Sequence, residues 1–195
     1  MVAGYHLIWT VYGYWLPNDP LGSTSLEIRV EAIKPLGDIH YGRKIVQPSS
    51  AELRAFFEQA QEVLAHPVLT FDDEEINLVG KMIGEEIAAR GYTCYACTVM
   101  PDHVHLLIRR HRDKAEQMIE CFQAKTRAAL IEQGKRAITH PVWAAGPGWK
   151  GFINMRADFE REIIYIRQNP EKIGKPEQKW PFVKKYDGWL PAYRG

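Results

Sequence analysis

The sequence predicts an α+β domain in which an antiparallel sheet packs against several helices. Three features lead to this class: a β-branched and aromatic run near the N-terminus, two such runs joined by a Pro-Asp turn, and amphipathic helical stretches around them. At 195 residues and 46% apolar, the chain can bury one sizeable core. We therefore expect a single domain over residues 1–195.

The first element is a strand followed by a long irregular segment. The run GYHLIWTVY at 4–12 is rich in β-branched and aromatic residues, which favours a strand. Residues 13–48 carry many Gly and Pro without a sustained period, which indicates a loop or an insertion. With the helix that follows, we expect an insertion at about 13–72.

Two helices come next. Ser49 and Glu52 form a capping box for the first, which ends before Pro67. The second begins near Asp72 and stops at Gly91. The remaining predicted elements are a hairpin of strands at 92–100 and 103–110, a helix at about 113–133, one or two short strands within 142–154, and a helix at about 158–169 that Pro170 stops.

The three cysteines include one C-x-x-C spacing, formed by Cys94 and Cys97. A zinc site would need two more ligands at matching spacing, and only Cys121 remains. A thioredoxin-like pair belongs at a helix start, whereas this pair lies in a strand-like run. The sequence therefore favours buried, inert thiols in a reducing compartment.

The compartment follows from what the sequence lacks. No stretch approaches the roughly 20 apolar residues that span a bilayer. The apolar N-terminus has no basic region and breaks at Leu16-Pro17, which is a poor signal peptide. We expect a cytoplasmic protein.

The net charge of +1 conceals an uneven distribution. Residues 1–90 hold 7 Lys and Arg against 13 Asp and Glu, whereas residues 91–195 hold 18 against 11. A basic second half indicates an anionic partner on that side. Ordinary solvated surface charge is the alternative, and charge alone favours it.

Two histidines two residues apart stand out in the basic half. His103 and His105 flank one valine in a strand, so both side chains project to the same face. Two imidazoles on a rigid strand make half of a divalent-metal site. A half-exposed strand with paired surface histidines is the alternative.

The last helix carries a second set of polar residues. Its apolar stripe is Phe159, Ile163 and Ile166, and Tyr165 lies off that stripe. Asn169 is one turn further on, on the side of Tyr165. This helix therefore presents a hydroxyl and an amide together, although a surface tyrosine with a helix-ending Asn would give the same pattern.

Together, PDHVHLL and, about 60 residues later, YIRQNP resemble the HUH single-strand DNA transposases, specifically the REP-associated tyrosine transposases (IS200-like). The resemblance implies a ferredoxin-like (RRM-like) sheet with the HUH strand at its centre. It implies Mg²⁺ or Mn²⁺ bound by His103, His105 and Asn169. It also implies that Tyr165 attacks a DNA phosphate, giving a 5′-phosphotyrosine intermediate and a free 3′-hydroxyl. The chain departs from the simplest members at 13–72 and in the tail at about 174–195.

This resemblance gives the basic residues near the histidines a use. Single-stranded or hairpin DNA is the expected partner, bound by Arg109, Arg110, Arg112, Lys125 and Arg127. The tail interleaves aromatic and basic residues, namely Trp180, Phe182, Tyr186 and Trp189 with Lys179, Lys184 and Lys185. These aromatic rings either stack on unpaired bases or hold the tail on the core.

The expected function is metal-dependent cleavage and rejoining of single-stranded DNA, as a transposase or a domesticated relative in a bacterial host. The expected state is a monomer rather than a homodimer. Two other functions remain open: a non-catalytic module that binds hairpin DNA or RNA, and a phosphodiesterase that uses metal-activated water, with Tyr165 only structural.

Overall fold

The computed structural model describes residues 1–23, 25–28, 30–42, 45–146 and 148–192. Its strands are β1 (Gly4–Thr10), β2 (Cys94–Val99), β3 (His103–Arg109) and β4 (Trp149–Ile153). They form one antiparallel sheet in the order β2, β3, β1, β4. β2 and β3 form the predicted hairpin, with Val99 opposite Val104. The α+β class is confirmed.

The described residues include four α-helices: α1 (Ser50–Val63), α2 (Asp73–Arg90), α3 (Ala115–Glu132) and α4 (Arg156–Arg167). A capping box at Ser49 begins α1 as predicted, and a second one at Asp72 begins α2. Gly91 ends α2 in the left-handed conformation, at φ 70°. None of the helices in the described ranges is long and apolar enough to cross a membrane.

The predicted end of the last helix was wrong. α4 stops at Arg167, and Pro170 begins a short 3₁₀ helix, Pro170–Ile173, instead of only stopping α4. Proline suits the first position of a helical turn, because its fixed φ is already helical and its missing N–H has no partner there. Asn169 keeps helical backbone angles, φ −57° and ψ −43°, and so leads directly into this 3₁₀ helix.

The chain divides into two compact units. The first comprises Met1–Trp9, Phe71–Thr139 and Gly146–Gly195, and the second comprises Thr10–Thr70 and His140–Ala145. In the first unit, the order β1, α2, β2, β3, α3, β4 is the βαββαβ order of ferredoxin-like folds. The second unit contains α1, a 3₁₀ helix (Glu31–Leu36) and most of the segment at 13–72. That this segment is an insertion relative to other proteins stays a prediction.

The helices of the first unit lie on both faces of the sheet. The ring of Trp9 on β1 stacks on Phe122 of α3, with ring centroids 5.9 Å apart. On the other face, α4 buries Phe159 and Ile166 in a cluster with Leu107 of β3. Since alternate residues of a strand point to opposite faces, β3 presents His105 to α4 together with Leu107.

The cysteines are free thiols, as predicted. Cys94 and Cys97 are buried on β2. Burial raises the pKa of Cys94 to about 12 and the pKa of Cys97 well above its ordinary value. Both thiols are therefore protonated at neutral pH, which disfavours metal binding and redox exchange.

The aromatic residues of the tail pack against the helices. The ring of Trp180 occupies the space of a side chain at Gly80 on α2, and Phe182 does the same at Gly84. The ring of Tyr186 stacks on a phenylalanine of α4. Of the two alternatives for these rings, the structure favours packing of the tail on the core.

The same tail covers the outer edge of β2. The side chain of Gln178 accepts from the backbone N–H of Val99 at 2.9 Å and donates to its carbonyl at 2.7 Å. Val183 forms a parallel bridge to Cys94. Residues 193–195 of the tail lie outside the described residues.

Candidate functional site

The two histidines of β3 project from the same face of the sheet, as their spacing predicts. Their Nε2 atoms lie 3.0 Å apart and their ring centroids 4.7 Å apart. His105 is buried and His103 is half-buried. β3 is an inner strand, so the pair lies on a rigid part of the sheet.

A chain of hydrogen bonds orients both imidazoles. The Nδ1 atom of His103 lies 2.7 Å from the Asp102 carboxylate. The Nδ1 atom of His105 lies 2.9 Å from Nε2 of His6 on β1, and Nδ1 of His6 lies 2.9 Å from the Glu162 carboxylate on α4. A carboxylate only accepts, so His103 and His6 each donate Nδ1–H to their carboxylate. His6 Nε2 must then accept, and His105 donates its Nδ1–H to it.

Burial favours the neutral forms of His6 and His105. Burial lowers the pKa of His6 to about 4. Burial also lowers the pKa of His105 well below its ordinary value, with smaller contributions from the charges of His103, His6 and Lys172. Burial raises the pKa of Asp102, but the hydrogen bond and charge of His103 outweigh this and leave the pKa below its ordinary value.

The result suits a bound cation. With Nδ1–H donated outward, Nε2 of His105 carries a lone pair that faces Nε2 of His103, 3.0 Å away. A proton on His103 Nε2, or a cation bound by both nitrogens, would each satisfy this contact. Imidazole nitrogens are common ligands of divalent first-row metal ions.

A full metal site is not apparent from the side chains alone. Among the described residues, no group of three or more His, Cys, Asp and Glu side chains is arranged to hold an ion. Two imidazoles and one amide do not form such a group, because only two of the three side chains are of these types. The proposed ligand set of His103, His105 and Asn169 therefore stays a prediction.

Tyr165 lies beside the imidazoles. Its ring meets the His105 ring edge-on, with centroids 5.6 Å apart, and lies 6.1 Å from the His6 ring. It is 43% exposed, so a ligand in solvent can reach it. No described hydrogen bond engages the Tyr165 hydroxyl. The structure thus brings the predicted tyrosine and the histidine pair together.

Asn169 is buried next to the tyrosine. None of its described hydrogen bonds is to an imidazole. Its Nδ2 donates to the backbone carbonyl of Tyr165 at 2.8 Å, and its Oδ1 accepts from Lys172 Nζ at 3.0 Å. The oxygen that would bind metal is therefore held by a lysine, although a carbonyl oxygen has a second lone pair.

The five basic residues predicted to bind DNA do not share one face. Arg109, Arg110 and Arg112 come at the end of β3 away from the histidine pair, whereas Lys125 and Arg127 are on α3, across the sheet from α4. The Arg109 guanidinium lies 3.5 Å from the centroid of the Trp189 ring. Arg110 and Arg112 are exposed and line a surface cleft with this tryptophan.

The two cations of α3 have protein partners. Lys125 pairs with Glu85 of α2 at 3.1 Å, and Arg127 donates to the carbonyl of Ile138 at 2.5 Å. Contact of any of the five with DNA stays a prediction. Exposure favours Arg110 and Arg112, and Arg112 also lies 3.8 Å from the Asp113 carboxylate.

Four residues of the site were missed in the sequence: His6, Asp102, Glu162 and Lys172. Glu162, Tyr165, Asn169 and Lys172 follow the spacing i, i+3, i+7, i+10, which is one face of a helix, so the helical period gives a signal for Glu162 and Lys172. His6 gives a weaker signal, as a lone imidazole in an apolar strand.

Comparison with known proteins finds similar solved structures only. No protein-family model matches the chain, and no curated protein matches it. A REP-associated tyrosine transposase bound to a REP hairpin is similar in structure over 98% of this chain and 93% of its own, at 12% identity and a TM-score of 0.48. A protein assigned as a transposase from Deinococcus radiodurans R1 matches over 85% of this chain and 91% of its own, at 14% identity and a TM-score of 0.37. The first belongs to the family that the sequence motifs resemble. At these values the likeness leaves the chemistry to be argued from the side chains.

Proposed function

We propose that this protein cuts and rejoins single-stranded DNA through a covalent bond to Tyr165. One observation carries the proposal: a half-exposed tyrosine lies beside His105, whose Nε2 atom lies 3.0 Å from Nε2 of His103. A buried histidine pair with only a packing role would have no need of two carboxylates to fix its tautomers. The arrangement is the one expected of a nucleophile next to a cation site.

Each residue of the site has a separate role in this proposal. Asp102 and Glu162 fix the imidazoles, the latter through His6. His103 and His105 would hold Mg²⁺ or Mn²⁺, with Asn169 as the predicted third ligand. When bound, the ion supplies positive charge that polarises the scissile phosphate and stabilises its developing negative charge.

Tyr165 supplies the chemistry. Its Oη attacks phosphorus and forms the new P–O bond, while the bond from phosphorus to the 3′ oxygen breaks. The phenol loses its proton to solvent, and the departing 3′ oxygen takes one up, so the phosphate stays on Tyr165 at the 5′ side. The covalent bond preserves the phosphodiester energy, and attack by a 3′-hydroxyl on the phosphotyrosine reverses the step and rejoins a strand.

The site favours an unpaired or hairpin substrate. Tyr165 lies on the surface of α4 over the sheet, so a phosphate must bend in towards it, which a single strand does more readily than a duplex. The similar transposase is bound to a REP hairpin, and we propose hairpin DNA for this chain as well. Its place of action would then be the nucleoid in a bacterial cytoplasm, and a monomer stays our expectation.

Trapping the covalent adduct tests the proposal. The oligonucleotide is a hairpin with single-stranded flanks, labelled at its 3′ end. With Mn²⁺ and this oligonucleotide, the wild-type protein should give a labelled protein band that survives denaturation. Tyr165→Phe should abolish both adduct and cleavage while leaving DNA affinity unchanged, and Tyr5→Phe on β1 serves as the matched control.

The two other functions predict different results. Binding without cleavage over a panel of hairpins would indicate a non-catalytic module. Cleavage that survives Tyr165→Phe, without an adduct in the wild type, would indicate a phosphodiesterase that uses water.

A further inference from the structure

Lys172 lies beside Tyr165 and Asn169, and it is not among the residues that the sequence motifs predict for the site. Its Nζ is 3.0 Å from Asn169 Oδ1 and 4.3 Å from the centroid of the Tyr165 ring. It thus contacts the proposed nucleophile and the predicted third ligand at once.

The turn after α4 brings this lysine back over the tyrosine. Pro170 begins the 3₁₀ helix, the backbone N–H of Lys172 donates to the Asn169 carbonyl at 3.1 Å, and Gly174 ends the turn at φ 71°. Lys172 is therefore two turns beyond Tyr165, on the same side of the chain.

The charge of Lys172 has no carboxylate partner among the ion pairs of the described residues. Lys175, three positions on, does have one, since it pairs with Asp73. The groups that hold Lys172 are a neutral amide and the face of an aromatic ring, each of which attracts an ammonium weakly. Such a cation is available to an anion that enters beside Tyr165.

We propose that Lys172 binds a non-bridging oxygen of the scissile phosphate and stabilises the charge that develops there as Tyr165 attacks. This inference rests on the proposed function, in which the Oη–P bond forms and the P–O3′ bond breaks. Lys172 keeps its own protons throughout and contributes only charge and hydrogen bonds. In the free protein the amide oxygen of Asn169 takes the place of that phosphate oxygen.

Three variants test the role. Lys172→Met keeps the aliphatic stem and removes the charge, Lys172→Arg keeps the charge, and Lys175→Met removes a charge from the same segment. The measurements are the single-turnover rate at saturating oligonucleotide, the Kd for an uncleavable oligonucleotide, the Mn²⁺ affinity without DNA, and the Tm.

We expect Lys172→Met to lower the single-turnover rate by about 10²-fold, with Mn²⁺ affinity and Tm unchanged and the Kd for DNA changed by less than about threefold. Lys172→Arg should recover part of the rate, and Lys175→Met should leave it near the wild-type value. A rate loss that appears only together with weaker Mn²⁺ binding would mean that Lys172 acts by holding Asn169, which overturns the phosphate contact.

The outcomes separate this inference from the proposed function. A wild-type protein that forms the adduct while Lys172→Met cleaves at the wild-type rate would overturn the role of Lys172 alone. A wild-type protein that forms no adduct on any single-stranded or hairpin substrate would overturn both.

Discussion

His6 Nε2 lies 2.9 Å from His105 Nδ1, so a ring on β1 sets the tautomer of a ring on β3. Glu162 on α4 completes this link, since its carboxylate accepts from His6 at 2.9 Å. The candidate metal ligand His105 is therefore oriented by two elements that are distant from it in sequence. This arrangement of carboxylate, bridging group and ligand typically tunes metal affinity.

The first prediction concerns that link. His6→Phe should weaken Mn²⁺ binding by about 10- to 100-fold, because His105 loses the acceptor that orients it. Glu162→Gln should act in the same direction and less strongly, since an amide oxygen can still accept. Titration followed by electron paramagnetic resonance measures both. Glu160→Gln, on the exposed side of α4, is the control. Equal Mn²⁺ affinity in all three variants would contradict the link from Glu162 through His6 to His105.

A second prediction separates loss of the ion from loss of the nucleophile. His103→Ala should abolish cleavage at micromolar Mn²⁺ but recover part of it at millimolar Mn²⁺, because one imidazole remains. Tyr165→Phe should recover nothing at any concentration, because no oxygen remains to attack. Rates measured across a Mn²⁺ series distinguish the two variants, and recovery of the Phe variant would mean that Tyr165 is not the nucleophile.

A third prediction concerns the basic residues at the end of β3. Replacing Arg110 and Arg112 together by Gln should weaken binding to all DNA sequences alike and reduce the slope of log K against log salt by about 1.4 to 1.8. The matched pair is Lys125→Gln with Arg127→Gln on α3, where both cations have protein partners. Binding isotherms at several salt concentrations give the slopes. An equal decrease in the second pair would place α3 in the DNA interface as well.

A fourth prediction concerns the tail. Gly→Ala within a helix normally stabilises a protein by up to about 1 kcal/mol. A Cβ at Gly80, however, would lie 2.1 Å from the Trp180 ring. Gly80→Ala should therefore lower the free energy of unfolding by about 1–3 kcal/mol. In a Trp180→Ala background the same change should become neutral or stabilising, and urea denaturation of the four proteins measures the coupling. Additive effects would mean that the tail does not pack there.

The sequence predicted the local elements because their signals are local. The capping box at Ser49, the Pro-Asp turn and the H-x-H alternation each depend on neighbours within a few residues, and the structure has all three. The link from Glu162 through His6 depends on which strands become neighbours, which no local period encodes. The end of α4 was misplaced because Pro170 was taken only as a stop signal, although proline also begins helical turns.

The role of the aromatic residues in the tail also could not be predicted from local sequence. Aromatic residues between lysines fit base stacking and core packing equally well in sequence. The glycines that decide between these alternatives, Gly80 and Gly84, are about 100 residues away on α2. Their spacing of four makes sense only once Trp180 and Phe182 are known to lie against them.

The segment that holds Gln178 and Val183 against β2 has a consequence for association between chains. An uncovered outer strand offers backbone donors and acceptors to any extended peptide, and β2 has those groups engaged at Cys94 and Val99. A chain cut before residue 176 would expose this strand and would also lose the Tyr186 ring that stacks on α4. We expect such a chain to self-associate through added strands at the edge of β2.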